Sequence, residues 1–319
     1  MKILCTGGSG FLGQYIKAQV EKAGDQFINY DVSNGNDILD RDQFYTVCAS
    51  EKPDVVVHAA AVADLYDSEK NIDKNFSINV QGTYFIGRIC SILDIPIIYI
   101  STCCAYGNQS TRERIDEDDM PIPTETYAWS KLAGEKVLGC VGKIEGCILR
   151  LGTFYGPGMR DSLFNAVAIN KALRGETILI HGDGKQSRQY VYVEDVAEAI
   201  YLACKKTYPI EELKGNPLPI INIIGKSGWT VNDTMATVKR FVDRPIKTTN
   251  TVEREGQIKN QNLLGYRAGV ILGWAISTSY LTGMERCVEA AIEVKKLEDE
   301  QNQASRAAEQ EMHEGNGDL

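Results

Sequence analysis

"TGGSGFLG", Thr6 to Gly13, stands between an apolar run, "MKILC" (Met1–Cys5), and a mixed segment, "FLGQYIKAQVEKAG" (Phe11–Gly24). The first reads as a buried strand and the second as a helix closed by Gly24. Gly7, Gly10 and Gly13 then fall in a strand-to-helix turn. Lacking side chains, they let the backbone turn tightly and let a pyrophosphate rest on the helix N-terminus. Alone, such a triplet is as readily an ordinary turn. Here a strand precedes it, a helix follows, and an acid ends the next strand. That acid is Asp31, in "INYDVS". It is placed to bind adenosine ribose hydroxyls and to repel a 2′-phosphate, which favours NAD over NADP. Downstream, Asp37 and Ile38 stand where an adenine edge would be read; the plainer alternative is a solvated turn followed by a core residue.

The same alternation continues outward. "QFINYD" is a strand, "DRDQFYTVCASEK" a helix and "DVVVHAA" a strand. A helix from about Ile72 to Leu93 precedes the strand "IPIIYIST", and a helix beginning near Thr126 leads to "GCILRLG". Continuous apolar strands suit a parallel sheet covered on both faces, so the pattern predicts an α/β fold with a doubly wound parallel sheet of Rossmann type. Residues 1–160 would form the NAD-binding domain, with segments near 190–205 and 218–226 returning to it. Residues 161–295, where "TILIHG", "RQYVYV" and "PIINII" mix with helices, would be mainly a smaller substrate-binding lobe. The polar stretch 296–319 reads as a tail, disordered or a frayed helix.

A net charge of −9 over 319 residues argues against nucleic-acid binding, which needs a basic face. "MKILCTGG" reaches glycine too early for a signal peptide, and no run is long enough to span a bilayer. A soluble, cytoplasmic protein without membrane contact is expected. The nine cysteines form no C-x-x-C pair, and three histidines are few, so no metal site is expected. Reduced thiols acting as small hydrophobes are the simplest reading.

"YAWSK" sets Tyr127 and Lys131 on one helical face, in a helix taken to follow the fifth strand. A free tyrosine, with a pKa of about 10, is a poor base at neutral pH. A neighbouring ammonium stabilises the phenolate and makes proton abstraction feasible. By itself the spacing is a common feature of helix surfaces.

Together with "HAAA" (His58–Ala61), "NVQGT" (Asn79–Thr83), "LRLGTFYGPG" (Leu149–Gly158), "GDGKQSRQYVYVEDVA" and "INIIG", these motifs resemble the extended short-chain dehydrogenase/reductase family, specifically its NAD-dependent sugar-nucleotide epimerases and dehydratases. The resemblance runs from Met1 to about Val231. It implies that Tyr127 is the acid/base, that Lys131 activates it and anchors the cofactor ribose, and that Thr102 hydrogen-bonds the reacting hydroxyl. It places Phe11, Leu12, Ala59, Ala60, Ala61, Ser101 and Tyr155 beside NAD, and Asn79 behind the active site. Gly156 and Pro157 continue the turn beside the nicotinamide. Ser68, Cys103, Cys104 and Arg188 would meet the nucleotide-diphosphate sugar, Arg188 clamping the diphosphate through its planar guanidinium. Arg254 would be a second phosphate-binding arginine. A homodimer, paired through the helices around Asn79–Ser91 and Tyr127–Val141, is implied by the same likeness. Gln189 departs from the aspartate usual in the family, and the stretch after Gly256 lacks the expected acid.

The adjacent cysteines in "STCCAYG" (Ser101–Gly107) bear on the reaction. Family dehydratases carry carboxylates at the positions of Cys103 and Cys104. A thiol with a pKa of about 8.5 replaces neither the acid nor the anion. A 4-epimerase needs no such group, because the keto-sugar rotates and takes its hydride back on the other face. The expected function is therefore a sugar-nucleotide 4-epimerase that does not consume NAD. The alternatives are a 4,6- or 5,6-dehydratase, the latter because one such family member carries a cysteine at the Cys103 position, a keto-sugar reductase, or a non-catalytic NAD-binding protein.

Overall fold

A computed structural model of the chain describes residues 1–109, 114–206, 218–253, 259–260 and 262–315. β1 (Lys2–Thr6) runs into the glycine turn and α1 (Phe11–Lys22) leaves it, followed by β2 (Gln26–Tyr30), α2 (Arg41–Glu51) and β3 (Val55–His58). Short helices α3 (Leu65–Lys70) and α4 (Ile72–Phe76) lead through a π-helical turn at Ser77–Gly82 into α5 (Thr83–Ile92). β4 (Ile97–Thr102), α6 (Thr126–Val137) and β5 (Gly146–Leu151) complete the first half. Four strands, not five, precede Tyr127, so Thr102 closes the fourth.

β6 (Phe154–Tyr155), α7 (Phe164–Arg174), β7 (Thr177–His181), β8 (Ser187–Arg188), β9 (Val191–Tyr192) and α8 (Val193–Cys204) follow. Then come β10 (Ile220–Ile223), β11 (Trp229–Thr230), α9 (Val231–Phe241), β12 (Lys247–Thr251) and the long α10 (Tyr280–Gly315).

Six strands form one parallel sheet in the order β2-β1-β3-β4-β5-β10. From β1 the chain steps outward to β2 and then crosses back to β3. The winding direction reverses between β1 and β3, which opens a crevice at their carboxyl ends. The largely apolar character of β3 and β4, polar only at their carboxyl ends, follows from cover on both faces, and every residue of both strands is buried. Ile16, Val20, Val196 and Ile200 of α1 and α8 pack on one face; Phe44, Ile86 and Ile89 of α2 and α5 pack on the other. A third core joins α7, α9 and α10 around Leu173, Val238 and Met284.

The helix expected from Ile72 to Leu93 is interrupted by the π turn. There Thr83 Oγ1 donates to the Asn79 carbonyl at 2.7 Å while the Asn79 side chain bonds outside the helix. An extra residue accommodated in this way re-aims a side chain, a device often found at functional sites. None of the nine cysteines is in a disulfide. Among the described residues no helix is long and apolar enough to cross a membrane.

Candidate active site

The glycine turn is closed too tightly for side chains. Gly7 has φ +72°, and a Cβ there would lie 2.8 Å from the Ala60 backbone. A Cβ on Gly13 would lie 2.5 Å from the carbonyl oxygens of Gly7 and Gly8. The cradle therefore stays open toward the N-terminus of α1, as a pyrophosphate requires. Asp31 ends β2 beside it, its carboxylate accepting from the N–H groups of Ser9 (3.2 Å) and Ser33 (2.9 Å).

The cradle opens into a cavity of about 910 Å³. Gly7, Gly10, Phe11, Leu12, Gly13, Asp31, Asp37 and Ile38 line one end, and Ser101, Thr102, Cys103, Cys104, Tyr127 and Lys131 the other. Ala59, Ala60, Ala61 and Tyr155 also face it. These residues come from the carboxyl ends of β1 to β5, the loops after them and the start of α6.

Behind the wall, His58 is buried between two hydroxyls. Thr83 Oγ1, 3.0 Å from Nε2, already donates to Asn79, so it accepts from the Nε2–H. Thr6 Oγ1 accepts from the Ala60 N–H (3.2 Å) and donates to Nδ1 (2.7 Å). A neutral imidazole is thereby fixed in one tautomer. Its burial, with the Lys131 charge nearby, holds its pKa down at about 3. Asn79 Oδ1 accepts from Val62 N (2.8 Å), and its amide donates to the Val62 carbonyl (3.0 Å) and to Ser130 Oγ (2.9 Å) of α6. Asn79 pins the loop after β3 to the helix that carries Tyr127. Expected behind the active site as one of the cofactor-binding residues, it is fully buried and does not face the cavity.

At the catalytic end, the hydroxyl of Thr102 accepts from the Cys104 N–H at 3.1 Å, and its proximity offsets part of the rise that burial imposes on the Tyr127 phenol and the Cys104 thiol. Removal from water raises the Tyr127 phenol; Cys104 adds to this and Arg160 opposes it. Lys131 is buried with Nζ 4.2 Å from the Tyr99 ring centroid. Burial pulls its pKa from 10.5 to about 7, with Glu135 acting in the opposite sense. One helical turn beyond Lys131, Glu135 accepts from Ser101 Oγ at 2.5 Å and forms a bidentate pair with Arg150, at 2.9 and 2.7 Å. Both members of the pair are fully buried. Cys103 Sγ donates to the Arg150 carbonyl at 3.2 Å, and burial pushes its thiol well up. Burial raises Cys104 as well. Neither cysteine is poised as a thiolate.

The other expected contacts divide. Arg188 and Tyr155 face the cavity, and the Tyr155 hydroxyl is tied to the Tyr280 carbonyl at 3.1 Å. Arg254 lies outside the described residues. Ser68 does not line the cavity. Fully buried, it donates to the Asp64 carbonyl (2.7 Å) and accepts from Asn75 (2.8 Å), because α3, capped by Asp64, turns it inward. Gln189, where aspartate was expected, holds Gly225 and Leu263 through bonds of 2.8 to 3.1 Å. Among the wall residues not expected from the sequence, three are polar groups near the catalytic end: Arg160, Asn165 and Glu125. Arg160 donates to the Ala63 carbonyl at 2.7 Å, and Asn165 is buried with an amide nitrogen lacking any partner among the described residues. Glu125 precedes α6. Proximity to "YGPG" and to "YAWSK" was the only signal for Arg160 and Glu125.

A nucleotide cradle at the switch point of a parallel sheet, sharing one cavity with a Tyr–Lys pair, defines an NAD-dependent enzyme of the short-chain dehydrogenase/reductase class. More narrowly, the profile of the NAD dependent epimerase/dehydratase family matches residues 3–214, and the chain belongs to that family. A putative UDP-glucose 4-epimerase of Methanocaldococcus jannaschii is 27% identical over 306 residues, covering 90% of this chain and 97% of that protein. The dTDP-glucose 4,6-dehydratase 1 of Escherichia coli is 24% identical, covering 91% and 92%. The crystal structure of the Thermotoga maritima UDP-glucose 4-epimerase with UDP-glucose matches with a TM-score of 0.83 at 26% identity, covering 92% of this chain and 99% of that one.

Proposed function

We propose that this chain is a nucleotide-sugar 4-epimerase. The observation that carries the reading is the pair of thiols, buried Cys103 and half-buried Cys104, both with raised pKa, at positions where, by family likeness, dehydratases carry carboxylates. Without those carboxylates elimination is disfavoured, whereas inversion needs only the groups present. NAD in the glycine cradle supplies the acceptor and donor of the hydride. Tyr127, which shares the catalytic end of the cavity with Thr102, takes the sugar hydroxyl proton and later returns it. Lys131, when protonated, stabilises the phenolate and holds the cofactor ribose. Arg188, and Arg254 by family likeness, bind the diphosphate. The reading also puts the enzyme in the cytoplasm, a reducing compartment that suits nine cysteines of which none is in a disulfide.

Likeness to the E. coli dehydratase favours elimination as the second reading. Incubation with a panel of UDP-, dTDP-, GDP- and CDP-sugars in D₂O, followed by NMR and mass spectrometry, separates the two. Inversion at C4 without mass loss or carbon-bound deuterium is expected; loss of water would overturn the epimerase reading.

We further propose a homodimer formed through α5 and α6. Tyr84 and Ile92 of α5 and Trp129 of α6 are 38%, 53% and 52% exposed, an apolar cost that a second copy would relieve. Light scattering at micromolar concentration is expected to give twice the chain mass, and a monomer mass would remove the proposal.

A further inference from the structure

Glu125 holds the N-cap position of α6. A side chain there ordinarily satisfies the first N–H groups of the helix. This one makes no capping bond, and the first N–H of the helix, that of Thr126, is taken at 2.9 Å by Glu69 of α3. The Glu125 carboxylate accepts no hydrogen bond from any described residue. It is half-buried in the cavity wall, two residues before Tyr127. Its charge acts on Tyr127 and Cys104, and Arg188 and Glu69 act on it. The other carboxylates of the described wall, Asp31 and Asp37, lie at the glycine-cradle end. Glu125 is therefore, among the described residues, the one carboxylate lining the cavity at the end where a sugar would be turned over.

We propose that Glu125 selects the sugar, accepting hydrogen bonds from an uncharged or amino hexose and rejecting a uronate. The inference rests on the nucleotide-sugar reading above. A carboxylate that loses water when a ligand closes over it needs a donor in return, which a hydroxyl or ammonium provides. A sugar carboxylate brought into the same cavity meets a like charge in a poorly screened site. The nearby arginines do not cancel this. Arg160 is engaged by the Ala63 carbonyl at 2.7 Å and lies 4.0 Å from Asp64, and Arg188 is required by the diphosphate.

The test is calorimetric binding of UDP-glucose, UDP-glucuronate and UDP to the NAD-loaded enzyme and to Glu125→Gln, with dTDP, GDP or CDP counterparts if the panel selects another base. The wild type is expected to prefer the glucose ester by about tenfold or more, and the variant to lose most of that preference. Affinity for the nucleoside diphosphate alone should be the same in both proteins. Because glutamine is isosteric and the helix is capped from Glu69, an unchanged melting temperature should accompany the loss. A preference unchanged within about twofold in the variant, or a wild type that binds glucuronate as tightly as glucose, overturns the proposal. Either result leaves the nucleotide-sugar reading standing. A wild type that binds neither ester nor any nucleoside diphosphate removes both.

Discussion

A Tyr127→Phe variant is expected to lose about 10²–10⁴ of kcat, the range that a positioned acid/base contributes. The substitution removes one oxygen and leaves the ring against the cavity wall. Thr102 keeps its bond from the Cys104 N–H at 3.1 Å, so the loss falls on proton transfer and not on the shape of the site. Sugar-nucleotide affinity and melting temperature should change little. Single-turnover measurement on the NAD-loaded enzyme checks this directly, and a rate within about tenfold of wild type would refute the role given to Tyr127. The phenol is raised by its removal from water, so little phenolate forms near neutral pH until a cation is set beside it. Lys131, drawn down to about 7, is the group that has to carry that charge.

The second large effect is on stability. Glu135→Gln leaves the Arg150 guanidinium fully buried with its bidentate partner gone, a change that typically costs about 3–5 kcal/mol. Burial works against the Arg150 charge, and its bonds to Glu135 more than compensate, holding its pKa above the ordinary value. Combining the variant with Arg150→Met should recover part of the loss, because the uncompensated charge goes with it. Urea denaturation midpoints measure both, and a single variant within about 1 kcal/mol of wild type would contradict the account. The same substitution reaches Lys131. The unfolded chain keeps the Lys131 proton up to 10.5, whereas the folded protein releases it at about 7. Between these values the unfolded state binds more protons, so stability rises with pH. Without the Glu135 charge the folded-state pKa falls further, and the rise should begin below pH 7.

Features set by local spacing could be read directly from the chain. The glycine turn, Asp31, the Tyr127–Lys131 helix and Thr102 at a strand end each depend on a few consecutive residues, and the alternation of apolar runs specified the parallel sheet. What escaped depends on partners far apart in sequence. Glu125 stands in the cavity wall while Glu69, from another helix, takes the first N–H of α6, and Glu135 meets Arg150 because α6 packs on β4, the neighbour of β5. Ser68 was misplaced because nothing local shows that α3 turns it inward to Asn75. The π turn at Ser77–Gly82 has no periodic signature of its own; it is held by bonds from Asn79 to Val62 and Ser130.

The last strand of the sheet has a consequence for synthesis. β5 ends at Leu151, but the neighbour that covers its open side, β10, comes only at Ile220–Ile223. At about 5–20 residues per second, a ribosome leaves that edge without its partner for roughly 4–14 seconds. During the interval β5 offers unpaired backbone groups flanked by apolar side chains, the kind of template on which nascent chains associate. The pairing that finishes the nucleotide-binding sheet therefore waits until α7, β7 and α8 have emerged, and the two halves of the molecule mature together.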